Sequence, residues 1–382
     1  MAACCCTAWW SSSSHHAPRR PFTFDDIPNL ASKVAIVTGA SAGLGLVTAR
    51  ELARQGCHVI FACRSREKTL TVLHTLVDAL PPTARVEFMP LNLMSLRSVL
   101  AFVDAFKARQ MPLHILVNNA GVMAPPAFLA SDDGIESQFA THHVGHHALT
   151  VGLLPVLEAS APSRVVVVSS GAHARAPWTG IDFANVNNAA KYHAWSAFSQ
   201  SKLANVLFAR ELSRRLQVRD VDNVYVNVVH PGIVRTDTTT KHSHCLLMHV
   251  RALFELHVDD GARTLLYVAT SDDVVTHNWH GQYFVPIARV GASDAVAEDR
   301  ALGRRLWAFT EAMIDDATMH TTDATTEGTT TDETGCMGSS SSTNDDDEFD
   351  AEALLLRTSS PTRDDDDDSG DDGSIDEAAT AA

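Results

Sequence analysis

The sequence predicts a doubly wound α/β fold, with a parallel sheet of about seven strands and helices on both of its faces. Short runs of mainly apolar, β-prone residues recur along the chain, and segments with helical spacing of apolar residues separate them. The first run, residues 33–38, ends in a cluster of glycines, as a buried parallel strand entering a helix does. Right-handed crossovers between such strands put ligands at the carboxyl ends of the sheet.

The predicted elements follow one another with few breaks. The helix that starts near residue 66 ends by residue 80, because Pro81 and Pro82 disfavour helical backbone before them. The longest helices are predicted at residues 134–160 and 195–217, and each precedes a valine-rich strand. Strands are predicted at residues 33–38, 57–63, from 85, at 114–121, 164–170, 224–232 and 282–286, with further helices at 46–53, 96–106 and 260–270.

The two ends of the chain differ from this central region. Residues 321–382 carry 19 acidic residues and two arginines, a net charge of −17, while the whole chain carries −16. The rest of the chain is therefore close to neutral, which argues against nucleic acid as a partner. We expect an irregular arm at residues 1–27, a folded domain at 28–316 and a disordered acidic tail at 317–382, which solubilises the protein or binds a protein partner.

The cysteines and the apolar runs indicate a cytoplasmic location. The chain has seven cysteines with no pairing pattern, which fits a reducing compartment. No run reaches the roughly 18 apolar residues of a membrane-spanning helix. Lipidation of Cys4, Cys5 and Cys6 stays open as a route to membrane association, beside unmodified thiols.

Residues 38–45, TGASAGLG, are called the glycine turn below, and they predict a Rossmann-like dinucleotide site. Gly39 permits a tight turn, whereas Gly43 and Gly45 let backbone approach a pyrophosphate and let the helix pack on the sheet. The free N–H groups of the helix N-terminus then face the phosphates. A simple tight turn is the alternative, but the position between strand and helix is the one that the motif requires.

The end of the second strand favours NADP(H) over NAD(H). An acidic residue there would bind the adenosine ribose hydroxyls, and no acidic residue stands between Ala62 and Arg66. Arg64, with Arg66 and Lys68 nearby, offers positive charge for a 2′-phosphate. A solvated basic start of a helix is the alternative, and it fits Arg66 and Lys68 better than Arg64.

Five motifs together indicate a known family: the glycine turn, NNAG at 118–121, the serine pair at 169–170, SKLANVLF at 201–208 and HPGIVRT at 230–236. In these motifs the chain resembles the short-chain dehydrogenase/reductase family. Residues 138–150 and 192–212 are near-copies of signatures in its branch of retinol dehydrogenases and WW-domain oxidoreductases. The similarity spans about residues 28–314. Trp9 and Trp10 are adjacent rather than a domain's width apart, so no WW domain is expected.

The resemblance implies a catalytic set of asparagine, serine, tyrosine and lysine. Ser170 matches the serine and Lys202 the lysine, but Phe198 stands at the tyrosine position and His142 at the asparagine position. The resemblance also implies that Asn92 contacts adenine, Ile233 the nicotinamide amide and Thr236 the phosphates. The full set of predicted cofactor contacts is Thr38, Gly39, Ser41, Gly43, Leu44, Gly45, Arg64, Asn92, Leu93, Asn119, Ala120, Gly121, Lys202, Pro231, Gly232, Ile233 and Thr236.

Phe198 removes the hydroxyl that donates the proton in this family's carbonyl reduction. Loss of a general acid typically costs about 10²- to 10⁴-fold in rate. Tyr192, His173 and His142 are the alternatives for its replacement, but structural roles fit Tyr192 and His173 better, and His142 as a proton relay stays a minor alternative. The histidines at 142, 143, 146 and 147 share helix faces, yet no acidic partner has metal-site spacing, so no metal site is predicted.

Two functions remain open. The first is an NADP(H)-dependent oxidoreductase that acts on a lipophilic alcohol or carbonyl, with proton transfer impaired or rerouted. The second is a catalytically inactive NADP(H)-binding protein that meets a partner through its tail or through the apolar stripe of Leu246, Val250, Leu253 and Phe254. That stripe covers the substrate, touches a membrane peripherally or packs in the core.

Overall fold

In the computed structural model, residues 20–234 and 256–326 are described, and residues 1–19, 235–255 and 327–382 lie outside that description. The described residues contain one eight-stranded sheet with the order β3-β2-β1-β4-β5-β6-β7-β8. Seven strands are parallel and β8 pairs antiparallel with β7, so the predicted doubly wound sheet is confirmed and gains a short edge strand. The strands are β1 Val34–Thr38, β2 His58–Cys63, β3 Arg85–Pro90, β4 Ile115–Asn118, β5 Ser163–Val168, β6 Val224–Val229, β7 Tyr283–Val285 and β8 Arg289–Gly291.

Helices cover both faces of the sheet and define two apolar cores. Side chains alternate along a strand, so Ile36 packs into one core while Ala35 and Val37 pack into the other. The first core lies under α3, α5, α6 and α9, and the second under α1, α2 and α7. The helices are α1 Gly43–Arg54, α2 Arg66–Val77, α3 Leu96–Ala108, α4 Ser137–Phe139, α5 Gly145–Ala159, α6 Ala194–Val218, α7 Val258–Thr270, α8 Asp273–Thr276 and α9 Arg300–Thr326.

The crevice for a ligand follows from the order of the strands. The chain runs outward from β1 to β2 and β3, then returns to β4 on the other side of β1. The carboxyl ends of β1 and β4 therefore face a switch point, where two connections leave in opposite directions. The glycine turn follows β1 at this point.

The helix predicted at 134–160 is not uniform. The short helix α4 passes into a π-helical turn at Ala140–Val144, and α5 then continues as a regular α-helix. A π-turn inserts one extra residue into a helix and is frequent at functional sites. His142 lies in this wide turn.

Helix α9 was not predicted from the sequence, and it extends past residue 316, where the folded domain was expected to end. The Asp299 carboxylate accepts hydrogen bonds from the backbone N–H groups of Ala301 and Leu302, 2.8 and 3.1 Å away, and so caps its start. Leu302 and Leu306 are buried against the first core. The chain outside the predicted domain also packs at its other end, where Phe22 is buried and its ring lies 5.3 Å from that of Tyr267.

No helix among the described residues is long and apolar enough to cross a membrane.

Candidate active site

The glycine turn is held against β4 by hydrogen bonds at the end of β1. The Thr38 hydroxyl accepts the backbone N–H groups of Asn119 and Ala120, both at 2.9 Å. The Asn119 side chain donates to the Thr38 carbonyl, also at 2.9 Å. The carboxyl ends of β1 and β4 are thereby fixed to each other on one side of the crevice.

Glycine is required in this turn for two different reasons. Gly39 and Gly43 have φ angles of +66° and +55°, which other residues rarely adopt. A Cβ on Gly45 would lie 2.5 Å from the Gly39 carbonyl oxygen and from the Asn119 side chain. The turn is therefore closely packed, and its residues Ser41 and Leu44 stay partly exposed to an approaching ligand.

Helix α1 begins in this turn with unused donors. Its N-cap residue is Ala42, which has no side-chain oxygen to accept the first N–H groups. A helix N-terminus with free N–H groups and a partial positive charge binds phosphate. The described residues therefore fit the pyrophosphate of a dinucleotide, and this fit rests on backbone geometry rather than on one side chain.

Two residues flank the place where an adenosine would lie. Arg64 follows β2 directly and is exposed to solvent. Asn92 accepts the Met94 backbone N–H on its side-chain oxygen, at 3.2 Å, so its amide is ordered by the turn after β3. Leu93 is buried, and its carbonyl oxygen would be 2.7 Å from a Cβ on Gly145.

Lys202 reaches the carboxyl end of β5, two residues before Ser170. The Lys202 ammonium group donates to the carbonyl of Val168, the last residue of β5, at 3.2 Å, and Asn205 donates to the same carbonyl at 3.0 Å. Ser170 is two residues further along and accepts the Ala172 N–H at 3.2 Å. Lys202 is 6% exposed, and burial lowers the pKa of its ammonium to about 7.

Phe198 lies one helical turn before Lys202 on α6. The Lys202 nitrogen is 5.9 Å from the centre of its ring. The ring makes edge contacts with His142 at 5.7 Å and with Trp195 at 5.9 Å, measured between ring centres. Phe198 thus occupies the space between a buried imidazole and a half-exposed indole.

His142 is fully engaged by its neighbours. Its Nε2 accepts the backbone N–H of Val122 at 2.9 Å, so this nitrogen carries no proton. Its Nδ1 then donates to the Ser201 hydroxyl at 2.8 Å, and Ser201 donates to the Phe198 carbonyl at 2.8 Å. Burial, followed by the charges of Lys202 and His146, holds the pKa of His142 well below its usual range.

The other three histidines of this segment point in two directions. His146 contacts the Thr38 hydroxyl at 2.9 Å and therefore reaches the glycine turn. His143 contacts the Thr310 hydroxyl at 2.8 Å and His147 contacts the Glu311 carboxylate at 2.6 Å, both on α9. Burial lowers the pKa of all three.

The end of β6 completes the crevice. His230 accepts the N–H groups of Gly171 and Gly232 on Nδ1, at 3.2 and 3.3 Å, and so links the ends of β5 and β6. Gly232 has a φ of +88°, and Ile233 is 44% exposed beside it. Thr236 and the apolar stripe at 246–254 lie outside the described residues.

The family model of the short chain dehydrogenases matches residues 33–245 of this sequence. The chain belongs to the short-chain dehydrogenase family. The predicted resemblance is thereby confirmed.

Two curated relatives support the predicted branch. Human retinol dehydrogenase 14 is 38% identical over 301 residues, covering 74% of this chain and 86% of its own. The WW domain-containing oxidoreductase of Gallus gallus is 36% identical over 293 residues, covering 75% of this chain and 69% of its own. A crystal structure of an uncharacterized protein from Mycobacterium paratuberculosis has a TM-score of 0.62 at 36% identity, covering 78% of this chain and 98% of that one.

The predicted site residues that the structure describes lie at the carboxyl ends of β1 to β6 or just after them, on α6, or in the π-helical turn before α5, and Thr236 lies outside the described residues. Sequence reasoning did not single out Ser201, Asn205 or His230. Ser201 and Asn205 belong to the quoted SKLAN segment and His230 to HPGIVRT, but their hydrogen-bond partners depend on the packing of α6 against β5 and on the β5–β6 register. Only the folded chain therefore reveals their roles.

Proposed function

We propose that this short-chain dehydrogenase is an NADP(H)-dependent oxidoreductase for lipophilic alcohols and carbonyl compounds, in which the usual phenolic acid is missing. The observation that carries the proposal is Lys202. It is buried at the end of β5 beside Ser170, although the tyrosine it accompanies in the family has become Phe198. Keeping a buried amine in a dry site is costly, which favours a functional reason for it.

Different residues of the chain bind the cofactor and the substrate. The glycine turn and the N-terminus of α1 bind the pyrophosphate, and Lys202 offers one of its three donors to the nicotinamide ribose. The bound nicotinamide supplies or accepts a hydride. Ser170 donates a hydrogen bond to the substrate oxygen and holds it in place, since its hydroxyl hydrogen is free when its oxygen accepts from Ala172.

NADP(H) is preferred over NAD(H) in this proposal because of Arg64. Its side chain is exposed directly after β2, within reach of the adenosine end of a dinucleotide on the glycine turn. An arginine binds a 2′-phosphate through paired charge-assisted hydrogen bonds.

A lipophilic substrate is supported by the site's rim and by its relatives. Trp195 is 47% exposed and contacts Phe198, and Ile233 is 44% exposed at the end of β6. The relative named retinol dehydrogenase 14 is named for a lipophilic alcohol. Such a substrate is delivered from a membrane or a carrier, so peripheral membrane contact of a cytoplasmic protein belongs to this proposal.

A second candidate is an inactive NADP(H)-binding protein, and one observation favours it. His142, Ser201 and the Phe198 carbonyl form a closed chain of hydrogen bonds that leaves none of them free for a substrate. A site of this kind binds the cofactor and turns over nothing. The acidic tail then becomes the place where a protein partner binds.

The two candidates are separated by restoring the phenol. NADPH oxidation is measured with all-trans-retinal, nonanal and cyclohexanone, for the native protein and for Phe198→Tyr. We expect Phe198→Tyr to raise the rate over that of the native protein, by no more than the roughly 10²- to 10⁴-fold that a missing general acid typically costs, because it returns the family's phenolic acid to the site. Phe183→Tyr adds the same hydroxyl beside Phe309, away from the crevice, and should change nothing.

Three outcomes separate the two candidates. Native turnover supports the oxidoreductase. Turnover by Phe198→Tyr alone supports an oxidoreductase scaffold whose native form is inactive. Silence of both proteins with NADPH still bound contradicts the oxidoreductase proposal for these three carbonyl compounds.

A further inference from the structure

Phe198 leaves the site without a phenol, so a carbonyl oxygen bound there must take its proton from another group. A useful donor needs a hydrogen that no protein atom already accepts, and a pKa near the working pH. The hydrogen bonds of each titratable group around the crevice decide which of them qualifies.

The two histidines nearest to the site do not qualify. The Nε2 atom of His142 accepts from Val122 and its Nδ1–H is given to Ser201. His173 is engaged in the same manner, because its Nδ1 faces the Ser170 carbonyl at 2.7 Å and its Nε2 accepts the Asp294 N–H at 3.1 Å. Both rings are neutral, since burial lowers both pKa values.

His230 and Tyr192 are excluded on similar grounds. Burial lowers the pKa of His230 to about 4, so its ring is neutral at pH 7 and is a poor acid there. The Tyr192 hydroxyl donates to the Pro125 carbonyl at 2.7 Å and accepts from Gln138 at 3.2 Å. Burial raises the pKa of Tyr192, which makes its phenol a weaker acid than usual.

Lys202 has hydrogens to spare. An ammonium group carries three donors, and within the described chain its one protein acceptor is the Val168 carbonyl. Its neighbour across the site is the face of Phe198, which accepts no strong hydrogen bond. Val168 lies two residues before Ser170, so the nitrogen and the serine that holds the substrate oxygen lie at the same strand end.

We propose that Lys202 itself is the acid and base of this site, in place of the missing tyrosine. This role rests on the proposed oxidoreductase function. In reduction, the carbonyl carbon receives a hydride with its electron pair, the C=O π pair moves to oxygen, and that oxygen takes one proton from the Lys202 ammonium. The amine left behind regains its proton from water, and oxidation runs through the same atoms in reverse.

The titration of Lys202 suits this role. Its pKa of about 7 means that ammonium and amine are both populated at neutral pH. Reduction requires the ammonium and should fall as the pH rises through this pKa, whereas oxidation requires the amine and should rise.

The test compares Lys202→Arg with the native chain, and repeats the pair in the Phe198→Tyr background. An arginine keeps the positive charge for the cofactor but releases no proton near neutral pH. We expect Lys202→Arg to lose about 10²- to 10⁴-fold in the reduction of retinal or nonanal in the native background, and clearly less in the Phe198→Tyr background, where a phenol supplies the proton. NADPH binding, measured by fluorescence, should persist in Lys202→Arg and weaken in Lys202→Met.

A second readout does not depend on turnover. The ¹³Cε signal of Lys202, in cofactor-free protein labelled at lysine and assigned with Lys202→Met, should titrate near pH 7. The pH midpoint of the native reduction rate should coincide with it.

Several results would overturn the inference. Equal losses from Lys202→Arg in both backgrounds would assign Lys202 to cofactor binding alone. A Lys202 signal that titrates above about pH 9, close to an ordinary lysine, or a rate profile unrelated to it, would point to another donor. Activity of Phe198→Tyr beside a silent native protein would overturn the Lys202 role while leaving the oxidoreductase scaffold standing. Silence of both would contradict the proposed function itself.

Discussion

The glycine turn and the wall formed by α5 and α6 differ in what builds them. In the glycine turn, backbone carries the geometry: two positive φ angles and one position too crowded for a Cβ. In the wall, buried side chains carry it, through hydrogen bonds from His142 to Ser201 and from Lys202 to Val168. The sequence resemblance predicts that the first region keeps the family's pattern and that the second departs from it at Phe198 and His142. A site that depends on backbone at one end and on buried side chains at the other should respond differently to substitution at its two ends.

The largest expected difference between the two regions is their response to acid. The folded state depresses the pKa of His142, His143, His146 and His147, and burial is the main cause. The unfolded chain therefore takes up protons first as the pH falls below about 6.5, and stability is lost from there downward. Between about pH 6.5 and 5, each histidine that stays neutral removes about 2 kcal/mol from the free energy of unfolding.

Urea denaturation at several pH values between about 7.5 and 5 checks this expectation. His146→Gln should flatten the dependence, because the pKa of His146 is lowered to about 3. His74→Gln, at an exposed position on α2, should leave the dependence unchanged. A native free energy of unfolding that is level across this range would contradict the buried, neutral state of these rings.

The next effect tests the backbone region. Gly45→Ala should weaken NADPH binding by about 5- to 160-fold, since overpacking of this kind costs roughly 1–3 kcal/mol and displaces the Gly39 carbonyl. Gly303→Ala is the matched control, because its Cβ would come no closer than 3.8 Å to any neighbour. Calorimetric titration with NADPH measures both. Unchanged binding in Gly45→Ala would mean that the turn does not hold the pyrophosphate.

The smallest expected effect on cofactor binding is that of Arg64. It is a side-chain contact in a region whose geometry otherwise depends on the backbone. Arg64→Ala should weaken NADPH binding about tenfold and leave NADH binding nearly unchanged, because one exposed charge-assisted contact is lost. Arg66→Ala, at the exposed first residue of α2, serves as the control. Equal losses for both cofactors would remove Arg64 from the 2′-phosphate site.

The same contrast explains what could be predicted from the sequence. Alternating apolar strands and helical segments are enough to predict the doubly wound sheet, and three glycines between a strand and a helix are enough to predict the turn. The short strand β8 was missed, because three residues of mixed polarity carry little pattern. Helix α9 was missed because its sequence runs from a basic start into a threonine-rich and acidic stretch, although apolar residues from Leu302 to Ala317 pack against the first core.

The sequence was enough to predict which residues lie in the candidate site, but not which hydrogen bonds they form. Motif positions located Ser170, Lys202, Phe198 and His142. His142 as a proton relay is disfavoured by the structure, because both ring nitrogens are bound by Val122 and Ser201. Val122 and Ser201 lie 20 and 59 positions from His142 in the sequence, so no local sequence pattern predicts these hydrogen bonds.

The π-turn at Ala140–Val144 fixes the rotation of everything that follows it on α5. Each residue of a helix advances about 100° around its axis, so one residue more or less in this turn would rotate the rest of α5 by that angle. His146, which faces the glycine turn, and His147, which faces α9, are one residue apart, so one of them would then take the direction of the other and the second would lose its present contact. The inserted residue thus sets the rotation of α5, so that His146 faces the glycine turn and His147 faces α9 at the same time.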